Sequence, residues 1–212
     1  MPSPQFLFPL AAVVAGYLLG SISFAVIVAR HCGVDILKEG SGNPGATNVK
    51  RVCGRAPGNL VFALDVFKGA LAAGWPRLLV AFSIAGEDVH WVLYAQLAGL
   101  VGAVLGHCFS VFLHFKGGKG VAVSAGALFG AMPECFVVAG LVWVLAFLLA
   151  RFVSVASLLG GLSLPMVAAW RWGTGDVRFW LGVFIALFFI FTHRTNIVRL
   201  FRGEEHRFSR KH

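Results

Sequence analysis

The residues best equipped for chemistry in this chain fall in three short segments, 40–51, 106–121 and 193–205. The first reads GSGNPGATNVKR, with Gly40, Gly42 and Gly45 inside six residues. Glycines spaced this closely let the backbone turn tightly and aim several N–H groups at one point, as an anion-binding loop does. Ser41, Thr47 and Asn48 add side-chain donors. Lys50 and Arg51 add positive charge, and the planar fork of Arg51 suits a two-bond grip on phosphate. An ordinary flexible loop with membrane-facing basic residues would share the glycines but not the full set of donors.

The second segment, GHCFSVFLHFKGGKGV, sets Gly117, Gly118 and Gly120 around Lys116 and Lys119, where a helix is predicted to begin. Helix N-termini attract anions through their unpaired N–H groups and the helix dipole. The spacing is not that of a Walker A loop, which speaks against a nucleotide site. His107 is placed two turns inside an apolar run, where it reads either as a hydrogen-bonded packing residue or as a substrate contact. The third segment contains His193 and Asn196, three apart and so on one side of a helix. Arg199 and Arg202 follow, able to meet phosphates or lipid headgroups. Asp65 and Lys68, at (i, i+3) in another apolar run, are expected to pair, with Lys68 also able to face an anion.

The elements that must position these segments are predicted to be membrane helices. Of the 212 residues, 58% are hydrophobic and 13% charged, against about 45–50% and about 25% in soluble domains. Mean hydropathy is +0.81. Charged residues divide the chain into seven apolar runs, 5–29, 58–86, 91–115, 120–133, 135–150, 152–170 and 179–192. The fourth, about 20 Å as a helix, is short for a crossing and reads as a broken or re-entrant helix. The expected fold is therefore an all-α polytopic membrane protein of about seven transmembrane helices, a single domain over 1–212. The start lacks a basic n-region, so the first run is expected to be retained rather than cleaved.

With the N-terminus outside and the C-terminus cytoplasmic, 14 of the 18 Lys and Arg residues fall in inner loops, as the positive-inside rule requires. Glu87, Asp88 and Glu134 then lie outside, and all three polar segments share the inner side. The net charge of +9 is explained by these short loops and by anionic substrates, without nucleic acid as a partner. Residues 204–212 form a basic tail expected against the inner leaflet. Cys32, Cys53, Cys108 and Cys135 show neither a CxxC pattern nor metal-ligand spacing, so neither a disulfide nor a metal is predicted.

The three segments resemble the signature motifs of the acyl-phosphate-dependent glycerol-3-phosphate acyltransferases, the PlsY family of bacterial phospholipid synthesis. The likeness lies in GSGNPGATN with Arg51 three residues on, in GHxFxxFxxFKGGKGVA, in HRxNIxRLxxGxE ending at Glu205, and in Leu64 to Gly69. Ser110 stands where that family often has proline, and Val123 where it often has threonine. The resemblance implies transfer of a fatty acyl group from acyl phosphate to the 1-hydroxyl of glycerol 3-phosphate in the bacterial inner membrane, among membrane lipid and without a cofactor. It implies that Ser41, Arg51, His193 and Asn196 are catalytic or orient phosphate. Candidate substrate contacts are Gly42, Asn43, Gly45, Thr47, Asn48, Lys68, His107, Lys116, Gly117, Gly118, Lys119 and Gly120, with Glu205 structural. Gly118→Ala is accordingly expected to act mainly on the KM for glycerol 3-phosphate.

Two other functions share some of these features. A CoA-dependent or carrier-protein-dependent acyltransferase commonly uses an HxxxxD pair, and no histidine here has Asp five residues later; His31 to Asp35 is one short. A transporter or channel for organophosphate anions would share the basic loops, but it more often shows internal repeats and mid-membrane polar groups.

Overall fold

Each of the seven apolar runs contains α-helix in the computed structural model, which describes residues 4–82 and 89–208. Glu87 and Asp88, expected in an outer loop, and the tail residues 209–212 lie outside the described residues. The first run is not one helix. It divides into α1 (Pro4–Ser21) and α2 (Phe24–His31), because Ser23 takes an extended backbone and its Oγ accepts the Val26 N–H at 3.4 Å. A serine hydroxyl competes for backbone donors, so it starts a helix more readily than it continues one.

The described residues form two compact units, 1–132 and 133–212. In the first, α3 (Ala46–Val52), α4 (Arg55–Ala81), α5 (Val89–Cys108) and α6 (Val121–Ala131) follow α2. Two helix pairs, α1 with α5 and α4 with α6, are built on small residues. A Cβ at Gly16 or Gly20 would meet backbone atoms of Gly99 or Ala103, and one at Gly102 or Gly106 would meet backbone of Val13 or Tyr17. Gly69 and Gly126 let α4 and α6 approach in the same way, against the Val123 and Val66 carbonyls. Close backbone approach is the main source of helix association where lipid removes the hydrophobic drive.

The second unit contains α7 (Pro133–Ala150), α8 (Val153–Trp172), α9 (Val177–Thr192) and α10 (Arg194–Phe201). The chain turns from α7 to α8 at Arg151, whose φ is 65°. Asp176 caps α9, accepting the Arg178 N–H at 2.8 Å and its guanidinium at 2.8 and 2.7 Å. The described part of the tail packs on its own unit: the Phe208 N–H donates to the Arg151 carbonyl at 3.0 Å, and its ring meets Phe147 edge-on.

Four stretches are long and apolar enough to cross a membrane: Leu7–His31, Trp91–Cys108, Pro133–Ala150 and Val153–Trp172. Val177–Thr192 with Arg194–Phe201, bent by 59°, makes a fifth if counted as one broken span. α4 has the length, with 27 residues, but Asp65 and Lys68 on its buried face lower its hydropathy. α6 has 11 residues, about 16 Å of helix, so the fourth run is as short as its sequence predicted. The third run also ends early: the helix stops at Cys108 rather than continuing to 115, which puts His107 in its last turn.

Candidate active site

The first motif is organised by Asn48. This side chain is 2% exposed. Its Oδ1 accepts the Ser41 N–H at 2.9 Å and Arg51 Nη1 at 3.4 Å, while its Nδ2 donates to the Glu39 and Ile36 carbonyls at 2.9 and 3.4 Å. One buried amide thus fastens both ends of the loop and reaches the arginine. Asn48 was expected as a donor to substrate; both its N–H groups are engaged within the loop, so it braces the loop instead. Gly40 and Gly42 have φ of 61° and 68°, a region other residues rarely adopt, and a Cβ at Gly40 would strike Asn48 Oδ1. Ser41 and Arg51 are exposed, with Gly42, Asn43, Gly45 and Thr47 half-buried around them.

Lys68 forms the expected ion pair with Asp65 inside a buried cluster. It is 1% exposed. Its ammonium lies 2.9 Å from Asp65 Oδ1 and donates to the Ile22 carbonyl at 2.7 Å and to His107 Nδ1 at 3.1 Å. Two of the three donors of the ammonium are thus engaged by hydrogen bonds, and its charge is paired with Asp65. The Ile22 carbonyl is available because α1 ends there, and a cation is favoured at a helix C-terminus. The break at Ile22 and Ser23 and the buried Asp65–Lys68 pair are therefore one feature. The adjoining Ser21 carbonyl accepts Ser110 Oγ at 2.6 Å, a bond that proline at 110 could not make.

His107 links this cluster to the second motif. Since Lys68 can only donate, His107 Nδ1 accepts and its hydrogen sits on Nε2. Its backbone carbonyl accepts the Gly118 N–H at 3.0 Å, and a Cβ on Gly118 would collide with its imidazole. Gly117 is likewise packed on the backbone of His107 and Cys108. The glycines seat the loop on His107, and the Gly118 amide, expected at the anion, is already bonded. His114 and Phe115 hold left-handed φ values of 52° and 60°. This strained turn ends at Lys116, which is exposed; Lys119 is half-buried, and Gly120, with φ of 86°, precedes α6.

The third motif is fastened by Glu205. Its Oε1 accepts Asn196 Nδ2 at 2.6 Å and Ser154 Oγ at 2.8 Å, and its Oε2 accepts Arg199 Nε at 2.9 Å. Burial raises the Glu205 carboxyl, but the bonds from Arg199, Asn196 and Ser154 outweigh it and hold the group below its ordinary value. Arg199 is thereby occupied, and Ser154 is a member that the sequence did not point to. His193 and Asn196 are 2% and 5% exposed, His193 at the bend between α9 and α10. Its Nδ1 donates to the Phe189 carbonyl at 2.9 Å. That bond fixes the tautomer and leaves the ring lone pair on Nε2, the state a proton acceptor needs.

The fold and these motifs define a multi-pass membrane protein whose described residues form helices and no strand. A family model for glycerol-3-phosphate acyltransferase matches residues 10–203, and the chain belongs to that family. It is 43% identical over 196 residues to the glycerol-3-phosphate acyltransferase of Aquifex aeolicus, covering 92% of this chain and 97% of that protein. To the Shewanella woodyi enzyme of the same name it is 41% identical over 204 residues, covering 95% and 94%. Its fold resembles crystal structures of PlsY (YgiH), an integral membrane glycerol 3-phosphate acyltransferase. The glycerol 3-phosphate form has a TM-score of 0.82 at 38% identity, covering 95% of this chain and 96% of that one. The lysophosphatidic acid form has a TM-score of 0.79 at 39% identity, covering 95% of each.

Proposed function

We infer that the protein transfers a fatty acyl group from acyl phosphate to the 1-hydroxyl of glycerol 3-phosphate, giving lysophosphatidic acid and inorganic phosphate. The observation that carries this is likeness over nearly the whole chain to glycerol-3-phosphate acyltransferases, with all three motifs in order. Acyl phosphate is a mixed anhydride and needs no protein nucleophile: the hydroxyl attacks its carbonyl and phosphate departs. Ser41 and Arg51, on the loop that Asn48 braces, orient the donor and stabilise the oxyanion. Such a donor contributes about 2.7–4 kcal/mol in the transition state. Gly42, Asn43, Gly45 and Thr47 shape the loop around it. Lys116 and Lys119, on the turn that Gly117 and Gly118 seat on His107, receive the phosphate of glycerol 3-phosphate with Gly120 beside them. His193 accepts the hydroxyl proton at Nε2, and Asn196, held by Glu205, positions substrate.

In the same reading the chain crosses the bacterial inner membrane about seven times, counting α4 and the short α6, with the N-terminus outside and the motif loops cytoplasmic. The charge distribution supports this, with 14 of 18 Lys and Arg residues in the loops assigned to the inside. The family match runs across residue 132 without interruption, which supports one acyltransferase domain over 1–212. The acceptor analogue lacking only its 1-hydroxyl tests the chemistry. Purified protein with palmitoyl phosphate should acylate glycerol 3-phosphate and leave the analogue unacylated, as read by mass spectrometry. Equal acylation of both would refute attack by the 1-hydroxyl.

A further inference from the structure

The third motif is held in place by residues that follow it. The Glu205 carboxylate joins Asn196, Arg199 and Ser154, yet it lies on chain that has left α10 and turned at Gly203, where φ is 69°. Non-helical chain of this kind is poorly ordered unless it is tied down. On one side of Glu205 the Glu204 N–H donates to the Arg199 carbonyl at 2.9 Å, and on the other the Phe208 N–H donates to the Arg151 carbonyl at 3.0 Å. The Arg151 carbonyl is available because the backbone reverses there, with φ of 65°, between the end of α7 and the start of α8. A left-handed φ is uncommon for arginine and persists where its surroundings hold it. The Phe208 ring meets Phe147 edge-on at 5.8 Å, and Phe147 is itself stacked on Trp143 at 5.3 Å, arrangements that the ring quadrupole favours. Ser154 lies three residues past Arg151, so the turn into α8 holds the segment at both Glu205 and Phe208.

We propose that Phe208 is a positioning residue for acyl transfer: latched on the Arg151 carbonyl and the Phe147 ring, it holds Glu205 where the carboxylate fixes Asn196. This role rests on the reading above, in which Asn196 positions substrate. The family match ends at residue 203, and Phe208 belongs to none of the three motifs. The path from latch to site is short. Asn196 Nδ2 donates to Glu205 Oε1 at 2.6 Å, and Ser154 Oγ donates to the same oxygen at 2.8 Å. Without the latch, Glu205 is released with residues 204–208, and Asn196 loses that acceptor. Misplacement of a substrate-positioning group by about 1 Å costs up to about 10²-fold, so the latch acts on turnover at a distance.

The test uses the full chain in detergent. Phe208→Ala should lower kcat/KM for acyl transfer, per folded protein, by about tenfold or more, and Phe208→Tyr, which keeps the ring, should restore it. An unchanged kcat/KM in Phe208→Ala would overturn the role. A second readout does not depend on acyl transfer. Burial raises the Glu205 carboxyl, but its bonds from Arg199, Asn196 and Ser154 outweigh burial and hold it below its ordinary value. The stability this contributes is fully present above the unfolded pKa, about 4.3, and is lost as pH falls through the lower folded value. With the latch gone that stability is already absent at neutral pH. On acidification the unfolding midpoint of Phe208→Ala should therefore fall less steeply than that of wild type, as it should in Glu205→Gln. Wild-type steepness in Phe208→Ala would show Glu205 held without the ring and contradict the latch. Should Phe208→Ala not fold, Phe208→Leu, which keeps the bulk and lacks the ring edge, is measured in the same two ways. If the wild-type protein transfers no acyl group, the acyltransferase reading fails, while the acid curves still decide whether Phe208 holds Glu205.

Discussion

At the scale of single residues, exposed and buried polar groups divide the work. Ser41 and Arg51 stand open on a loop held by buried Asn48. Ser41→Ala and Arg51→Ala are expected to lower kcat/KM by about 10²–10³ while the thermal midpoint of the purified protein stays near wild type. An unchanged kcat/KM would remove the loop from the chemistry. Lys68 behaves in the opposite way. Since Lys68 lies 2.9 Å from Asp65 and donates to Ile22 and His107, Lys68→Met leaves a buried carboxylate without its cation. That costs about 3–5 kcal/mol, read as a lower unfolding midpoint in detergent. Adding Asp65→Leu should recover much of the loss, whereas a lysine needed only for phosphate would show none. The (i, i+3) spacing made the ion pair legible in the sequence. The third partner was not, because a backbone carbonyl becomes an acceptor only where a helix ends, and nothing charged marks Ile22.

At the scale of elements, the loops are held by what lies beneath them. Gly118 is seated on the His107 imidazole, so Gly118→Ala must push the ring from Lys68 or lift the loop. The expectation from sequence, an effect mainly on KM, is replaced by a drop in kcat together with a lower unfolding midpoint. A change confined to KM would return the glycine to the phosphate. Around α10, the Glu205 carboxylate ties Asn196, Arg199 and Ser154, and its folded-state pKa lies below the ordinary value. A depressed carboxylate contributes stability that is fully present above the unfolded pKa, about 4.3, and is lost as pH falls through the lower folded value. The wild-type midpoint should therefore fall on acidification below about pH 4.3 more steeply than that of Glu205→Gln. Parallel curves would show that the cluster carries no proton linkage.

The motif glycines and the helical runs were readable because their signals are local: spacing, charge and apolar run length. The break between α1 and α2 was hidden because Ile22 and Ser23 interrupt neither hydropathy nor charge. The early end of α5 was hidden because 109–115 stays apolar while its backbone turns through His114 and Phe115. Ser154 could not be connected to Glu205, since 51 residues separate them and only the fold brings them together.

At the scale of the molecule, the arrangement is a helical membrane protein in which two helix pairs of the first unit pack through glycine, with the first two motifs at or between their ends. The small-residue faces of α1 and α5 and of α4 and α6 fix where those ends lie, and so where the first two motifs sit in their unit. The transporter alternative draws no support from the family match or the related structures. The donor is the finest part of the account. Phosphate release by the purified protein, given palmitoyl phosphate with and without glycerol 3-phosphate and with palmitoyl-CoA as the parallel donor, tests it most directly. Phosphate release should depend on glycerol 3-phosphate, with no reaction from the CoA ester. Acylation from palmitoyl-CoA with palmitoyl phosphate inert, in folded protein, would contradict it.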